Sequence, residues 1–112
     1  MLNAHNAFRE ALVRKLNQEP GLEVVWQAGS LEEAHGIHLD GIDLAIVDPV
    51  LLDGDDGMVL VREMSQANPN ASVLVLTSNL DPTVRGRALE AGAVEVLSTR
   101  ATGEELINAI RR

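Results

Sequence analysis

Cysteine is absent from the chain, which excludes a disulfide framework, a thiolate nucleophile and a cysteine-based zinc site, and fits a reducing compartment. Basic residues are scarce: 9 Lys and Arg stand against 17 Asp and Glu, a formal net charge of -8. Phosphate backbones need clustered cations, so direct nucleic-acid binding by this domain is not expected, and any DNA contact falls to something attached to it. Aromatic side chains are nearly missing. Trp26 and Phe8 are the only two, and Trp26, set in a short Val-rich segment, is expected to pack in the core. The apolar runs at 44–47 and 73–76 are too short to cross a bilayer, and the N-terminus carries no signal-peptide pattern, so no membrane association and a cytoplasmic location are expected. There is no internal repeat, low-complexity stretch or linker. With 112 residues, 46% of them hydrophobic and 23% charged, the chain reads as one soluble domain spanning 1–112.

What is present is a regular alternation of helical and strand-like segments. "AFREALVRKLNQEPG" places Phe8, Leu12, Val13 and Leu16 at helical spacing and closes on Pro20 and Gly21, a first helix near 6–18. "LEVVWQAG" is short and Val-rich, a strand leading to Ser30, which with Glu33 forms a capping box for the next helix. "IDLAIVD" and "SVLVLTS" are apolar without polar alternation, the pattern of strands buried on both faces of a parallel sheet. Helices follow at "GMVLVREMSQANP" and at "DPTVRGRALEAG", the latter with Pro82 in its first turn and Gly92 past its end. A strand "AVEVL" and a last helix "TGEELINAIRR", with Thr102 as N-cap, complete the chain.

This order predicts a doubly wound α/β fold, a parallel sheet with helices on both faces. Only Met1 and Leu2 precede the approach to the first helix, so the first strand is truncated, and backbone groups left open beside it need another segment or chain to pair them. In such sheets chemistry sits at the carboxyl ends of the strands. Asn3, Asp48, Thr77 with Ser78, and Ser98 with Thr99 all fall at strand ends and converge there.

Other candidates are weaker. Asp53, Asp55 and Asp56 crowd one loop, but Gly57 and Met64 break the EF-hand spacing, and a solvated turn in which Asp55 or Asp56 starts the next helix is the expected role. His5, His35 and His38 share no metal-ligand spacing, and neither a "GxSxG" nor a Gly-rich phosphate loop occurs, so an independent enzyme is not expected.

The fragments "HNAFREAL", "LEVVWQAGSLEEA", "DLAIVD", "VLVLTS", "ALEAGAVEVL" and "EELINAI", taken in order, resemble the receiver domains of two-component response regulators, specifically the CheY-like domains that precede LuxR/NarL-type helix-turn-helix domains. The resemblance spans essentially the whole chain. It implies a flavodoxin-like, five-stranded sheet and a role in phosphorelay and transcription regulation. It places the phosphoacceptor position on Asp48 and the phosphoryl-contact hydroxyl on Thr77. The two metal-binding carboxylates of the family fall on Asn3 and Ala4, and its phosphate-pairing Lys on Thr99. Magnesium, the implied cofactor, would be held by Asp48 and the backbone carbonyl of Val50, yet Asn3 and Ala4 supply no carboxylate, and the loop after Asp48 is one residue longer than usual. Arg100 stands one residue out of phase as a substitute cation. The aromatic that many members carry in the fifth strand is Val96.

Phosphoryl transfer rests on positioning and charge neutralisation, so losing the carboxylates and the cation attacks the mechanism itself. The expected function is an atypical receiver, a regulatory or dimerisation module with Mg²⁺-dependent phosphorylation impaired or lost. Two alternatives stay open: a receiver that accepts a phosphoryl group on Asp48 from a histidine kinase, and a small-ligand module using the same pocket. Expected partners are proteins, including a second copy. Leu106, Ile107 and Ile110 on the last helix either pack on the sheet or add to such a surface.

Overall fold

The computed structural model describes residues 1–36, 41–51 and 56–112. The elements run α1 (Asn6–Asn17), α2 (Leu31–His35), β1 (Leu44–Val47), α3 (Met58–Ala67), β2 (Ser72–Thr77), α4 (Pro82–Ala91), β3 (Glu95–Ser98) and α5 (Gly103–Arg111). The three strands form a parallel sheet in the order β1-β2-β3, with Val47 opposite Val75 and Thr77 opposite Ser98.

Two further lines of chain extend this ladder. Leu2 makes parallel bridges to Ala28 on one side and Val47 on the other. Its N–H donates to the Ile46 carbonyl at 2.9 Å and its carbonyl accepts the Asp48 N–H at 2.9 Å, while Asn3 N–H donates to the Ala28 carbonyl at 3.0 Å. Met1–Asn3 thus occupy the central place between β1 and the line through Ala28, and their backbone groups are paired within the molecule. The segment "LEVVWQAG" departs from the expected strand: only Ala28 bridges, and residues 22–27 form no regular element. The reason lies in the partner, since a neighbour as short as Met1–Asn3 cannot sustain a ladder along the whole segment.

Burial parity shows how the layers form. Successive strand residues point to opposite faces. On one face Ile46, Leu74 and Leu76 join Met1, Leu16 of α1 and Leu106 of α5, with Ile107 and Ile110 packed against them. On the other, Leu2, Val47, Val73 and Val75 meet Ala34 of α2, Leu60, Val61 and Met64 of α3, and Ala88 and Ala91 of α4. Helices thus cover both faces, as the unbroken apolar strands require. Ile107 and Ile110 resolve toward packing on the sheet, and Trp26 joins the core at 8% exposure. Phe8 does not, at 37%.

The helix ends follow their side-chain chemistry. Ser30 Oγ accepts the Glu33 N–H, Asp81 Oδ1 the Val84 N–H and Thr102 Oγ1 the Glu105 N–H. Glu33 reaches back to the Gly29 N–H, one residue before the cap. Gly92 closes α4 at φ 114°, in the left-handed region glycine tolerates.

Candidate functional site

Asn3, Asp48 and Thr77 are the buried polar residues among the described ones, at 2%, 3% and 0% exposure. Each follows or ends an apolar strand, which carries it to the carboxyl edge of the sheet: Asn3 after Leu2, Asp48 after β1, Thr77 at the end of β2. Ala4, also buried, lies beside Asn3, and Thr99, half-buried, donates its N–H to the Thr77 carbonyl at 3.0 Å.

The Asp48 carboxylate takes two hydrogen bonds. Val50 N–H donates to Oδ1 at 2.9 Å, and Asn3 Nδ2 donates to Oδ2 at 3.4 Å. The Asn3 Oδ1 is itself engaged, accepting the His5 N–H at 2.8 Å. No cationic side chain among the described residues reaches Asp48 within ion-pair distance. Burial pushes the Asp48 carboxyl above the ordinary carboxylate range, against the opposing pulls of the Val50 N–H and the His5 charge. Pro49 follows directly, and Val50, 54% exposed, bridges to Asp56 across the loop.

Among the described residues this donor set does not fit a magnesium ion. A hard dication takes oxygen ligands, commonly with more than one carboxylate or phosphate among them, whereas here one carboxylate faces an amide that offers it N–H rather than a second lone pair. Thr77 Oγ1 lies at the same edge and accepts the Asn79 N–H at 3.2 Å. Arg100 is exposed and its backbone N–H turns to Ser98 Oγ at 3.0 Å.

Some arrangements had no signal in the sequence. Arg87 of α4 pairs with Asp56 Oδ2 at 2.5 Å, tying α4 to the start of α3, where Asp56 Oδ1 accepts the Met58 N–H at 2.9 Å in the helix-starting role expected of Asp55 or Asp56. Arg9 donates to the Asn3 carbonyl at 2.7 Å and to Gln27 Oε1 at 3.1 Å, clamping the strand end that presents Asn3. Of the other singled-out residues, His35 pairs with Glu63 at 3.0 Å on the surface, and His38, Asp53 and Asp55 lie outside the described residues.

Comparison with known proteins identifies the family. The family described as the response regulator receiver domain matches residues 2–111. The chain is 32% identical over 112 residues to the DNA-binding transcriptional activator DevR/DosR of Mycobacterium tuberculosis, covering 99% of this chain and 51% of that protein. It is 32% identical over 111 residues to the transcriptional regulatory protein UhpA of Salmonella typhimurium, covering 98% and 55%. The chain thus spans about half the length of these curated relatives. Among solved structures, a LuxR-family two-component response regulator from Aurantimonas sp. superposes with a TM-score of 0.87 at 27% identity, covering 98% of this chain and 79% of that one. A Burkholderia pseudomallei response regulator described with a phosphorylated aspartic acid, a calcium ion and citrate superposes at 0.86 and 26% identity, covering 96% and 62%. The chain belongs to the receiver-domain family of two-component response regulators, with relatives of the NarL/LuxR type.

Proposed function

We propose that this receiver is an atypical one, a regulatory or dimerisation module in which Mg²⁺-dependent phosphorylation of Asp48 is impaired or lost. The observation that carries the reading is the neighbour of Asp48: the Asn3 amide donates to its Oδ2, where a metal would need an oxygen donor. Thr99 and Ala4 support it from the other strand ends. A phosphoryl dianion on Asp48 would gain hydrogen bonds from Thr77 and backbone N–H groups but no ion pair with a Lys or Arg among the described residues, and charge neutralisation is the larger part of this chemistry.

In this reading the domain transmits through its fold and its protein contacts rather than as an independent enzyme. An attached DNA-binding segment, as the names of its relatives suggest, would supply the output. The test is incubation with a small phosphodonor and Mg²⁺ followed by intact-mass and peptide analysis. The expected result is no stoichiometric, hydroxylamine-sensitive mass increase at Asp48. Full modification there would overturn the proposal and favour the phosphorylatable receiver, a reading supported by the burial of both Asp48 and Thr77 at one sheet edge.

A further inference from the structure

The segment ending at Ala28 is the outermost line of the sheet among the described residues, lying beyond Leu2 on the side away from β1. Ala28 turns both its N–H and its carbonyl inward, donating to the Met1 carbonyl at 2.8 Å and accepting the Asn3 N–H at 3.0 Å. Backbone groups alternate sides along an extended chain, so Gln27 and Val25 face outward. Their N–H and carbonyl groups, and those of Glu23, hydrogen-bond to none of the described residues. The outward side is the same however far the inward side is paired.

Exposure follows the same alternation. Glu23, Val25 and Gln27 are exposed, whereas Trp26 and Ala28 are buried. Val25, at 66%, is the most exposed large hydrophobic side chain among the described residues. Unpaired backbone donors and acceptors beside a bare β-branched residue make an edge ready to take another strand. The opposite edge offers no such residue, since no side chain of β3 is exposed.

The side chains select a second copy of this chain as the occupant. In an antiparallel pairing about a twofold axis through Val25, Val25 meets its own copy and Glu23 stands opposite Gln27 on each side of the axis. Arg9 Nε donates to Gln27 Oε1 at 3.1 Å, which leaves the Gln27 amide N–H groups to donate outward. The Glu23 carboxylate of the second copy accepts them and lies beside the Arg9 guanidinium. The edge is therefore complementary to itself in both hydrogen bonding and charge.

We propose that two copies of this chain join edge to edge through residues 23–27, with Val25 on the axis and Glu23 against Gln27 on either side, so that one sheet runs through the pair. This surface presupposes the reading of the domain as a dimerisation module and is separate from the chemistry at Asp48. An edge this short buries less than a standard interface, so the dimer is weak, with a dissociation constant on the order of 100 µM.

The test is sedimentation equilibrium of the full chain from about 10 µM to about 1 mM, with hydrogen exchange of the Val25 and Gln27 amides followed at both ends of that range. A reversible monomer–dimer equilibrium is expected, with both amides exchanging more slowly at the higher concentration. Glu23→Lys should weaken the dimer about tenfold by setting a like charge against Arg9, and adding Gln27→Glu should restore it, because the exchanged pair again joins opposite charges. Circular dichroism checks that each variant is folded. A dimer unmoved by Glu23→Lys, one that the double variant does not regain, or amide exchange independent of concentration overturns this edge as the interface and leaves dimerisation itself standing. A monomer throughout the range overturns both.

Discussion

Asp48 sits in an environment that disfavours its charge. It is buried, its hydrogen bonds come from neutral N–H groups, and no cationic side chain among the described residues pairs with it. The folded state therefore holds the Asp48 proton more tightly than the unfolded chain, whose carboxyl keeps the ordinary value of 3.8. Where the native state binds the extra proton, stability is highest below the unfolded value and is lost as pH rises through the raised native one. Asp48→Asn removes this loss. Its Tm should exceed that of the wild type by a few degrees at neutral pH, with the difference shrinking toward pH 4, a comparison that thermal scans across pH make directly. The place of Asp48, Asn3 and Thr77 was legible in the sequence because each ends or follows an apolar run, and a run buried on both faces delivers its terminal residue to the sheet edge. The direction of the Asn3 hydrogen bond was not legible, since it depends on how the amide is held by the His5 N–H and how Arg9 fixes the backbone beneath it.

Gly57 packs directly against the backbone of Asp48 and Pro49. A Cβ there would lie 2.5 Å from the Asp48 carbonyl oxygen and 2.8 Å from Pro49 Cα, and the Gly57 N–H donates to the Pro49 carbonyl at 2.9 Å. The backbone at Gly57, φ -61°, is one that any residue adopts, so space and not conformation demands glycine. Gly57→Ala should cost about 1–3 kcal/mol through overpacking against backbone, measurable by denaturant unfolding, whereas a substitution at the open Gly86 should not meet this clash. Helix starts were the most readable elements, because Ser30, Thr102 and Pro82 carry their capping or first-turn chemistry in their own side chains. The segment before Ser30 was the least readable. Its Val-rich composition fits a strand, but a ladder also needs a partner of matching length, and that property belongs to Met1–Asn3 rather than to the segment itself.

At the scale of the molecule, the two-sided fold was legible from the order of its segments, and the assignment of helices to faces came only with the burial parity of β1 and β2. α1 and α5 share one face through Leu16 and Leu106, while α2, α3 and α4 share the other. Arg111 of α5 reinforces the first face by donating to the Pro20 carbonyl at 2.9 Å, across 91 positions of sequence. β2 lies between β1 and β3 with five of its six residues buried. An amide so placed can meet solvent only when the whole domain opens, whereas residues 22–27, with no ladder along most of their length, need only a local excursion. Native-state hydrogen exchange should therefore divide the chain into two clocks: Val73 to Leu76 exchanging at the rate set by global unfolding, and residues 22–27 exchanging orders of magnitude sooner.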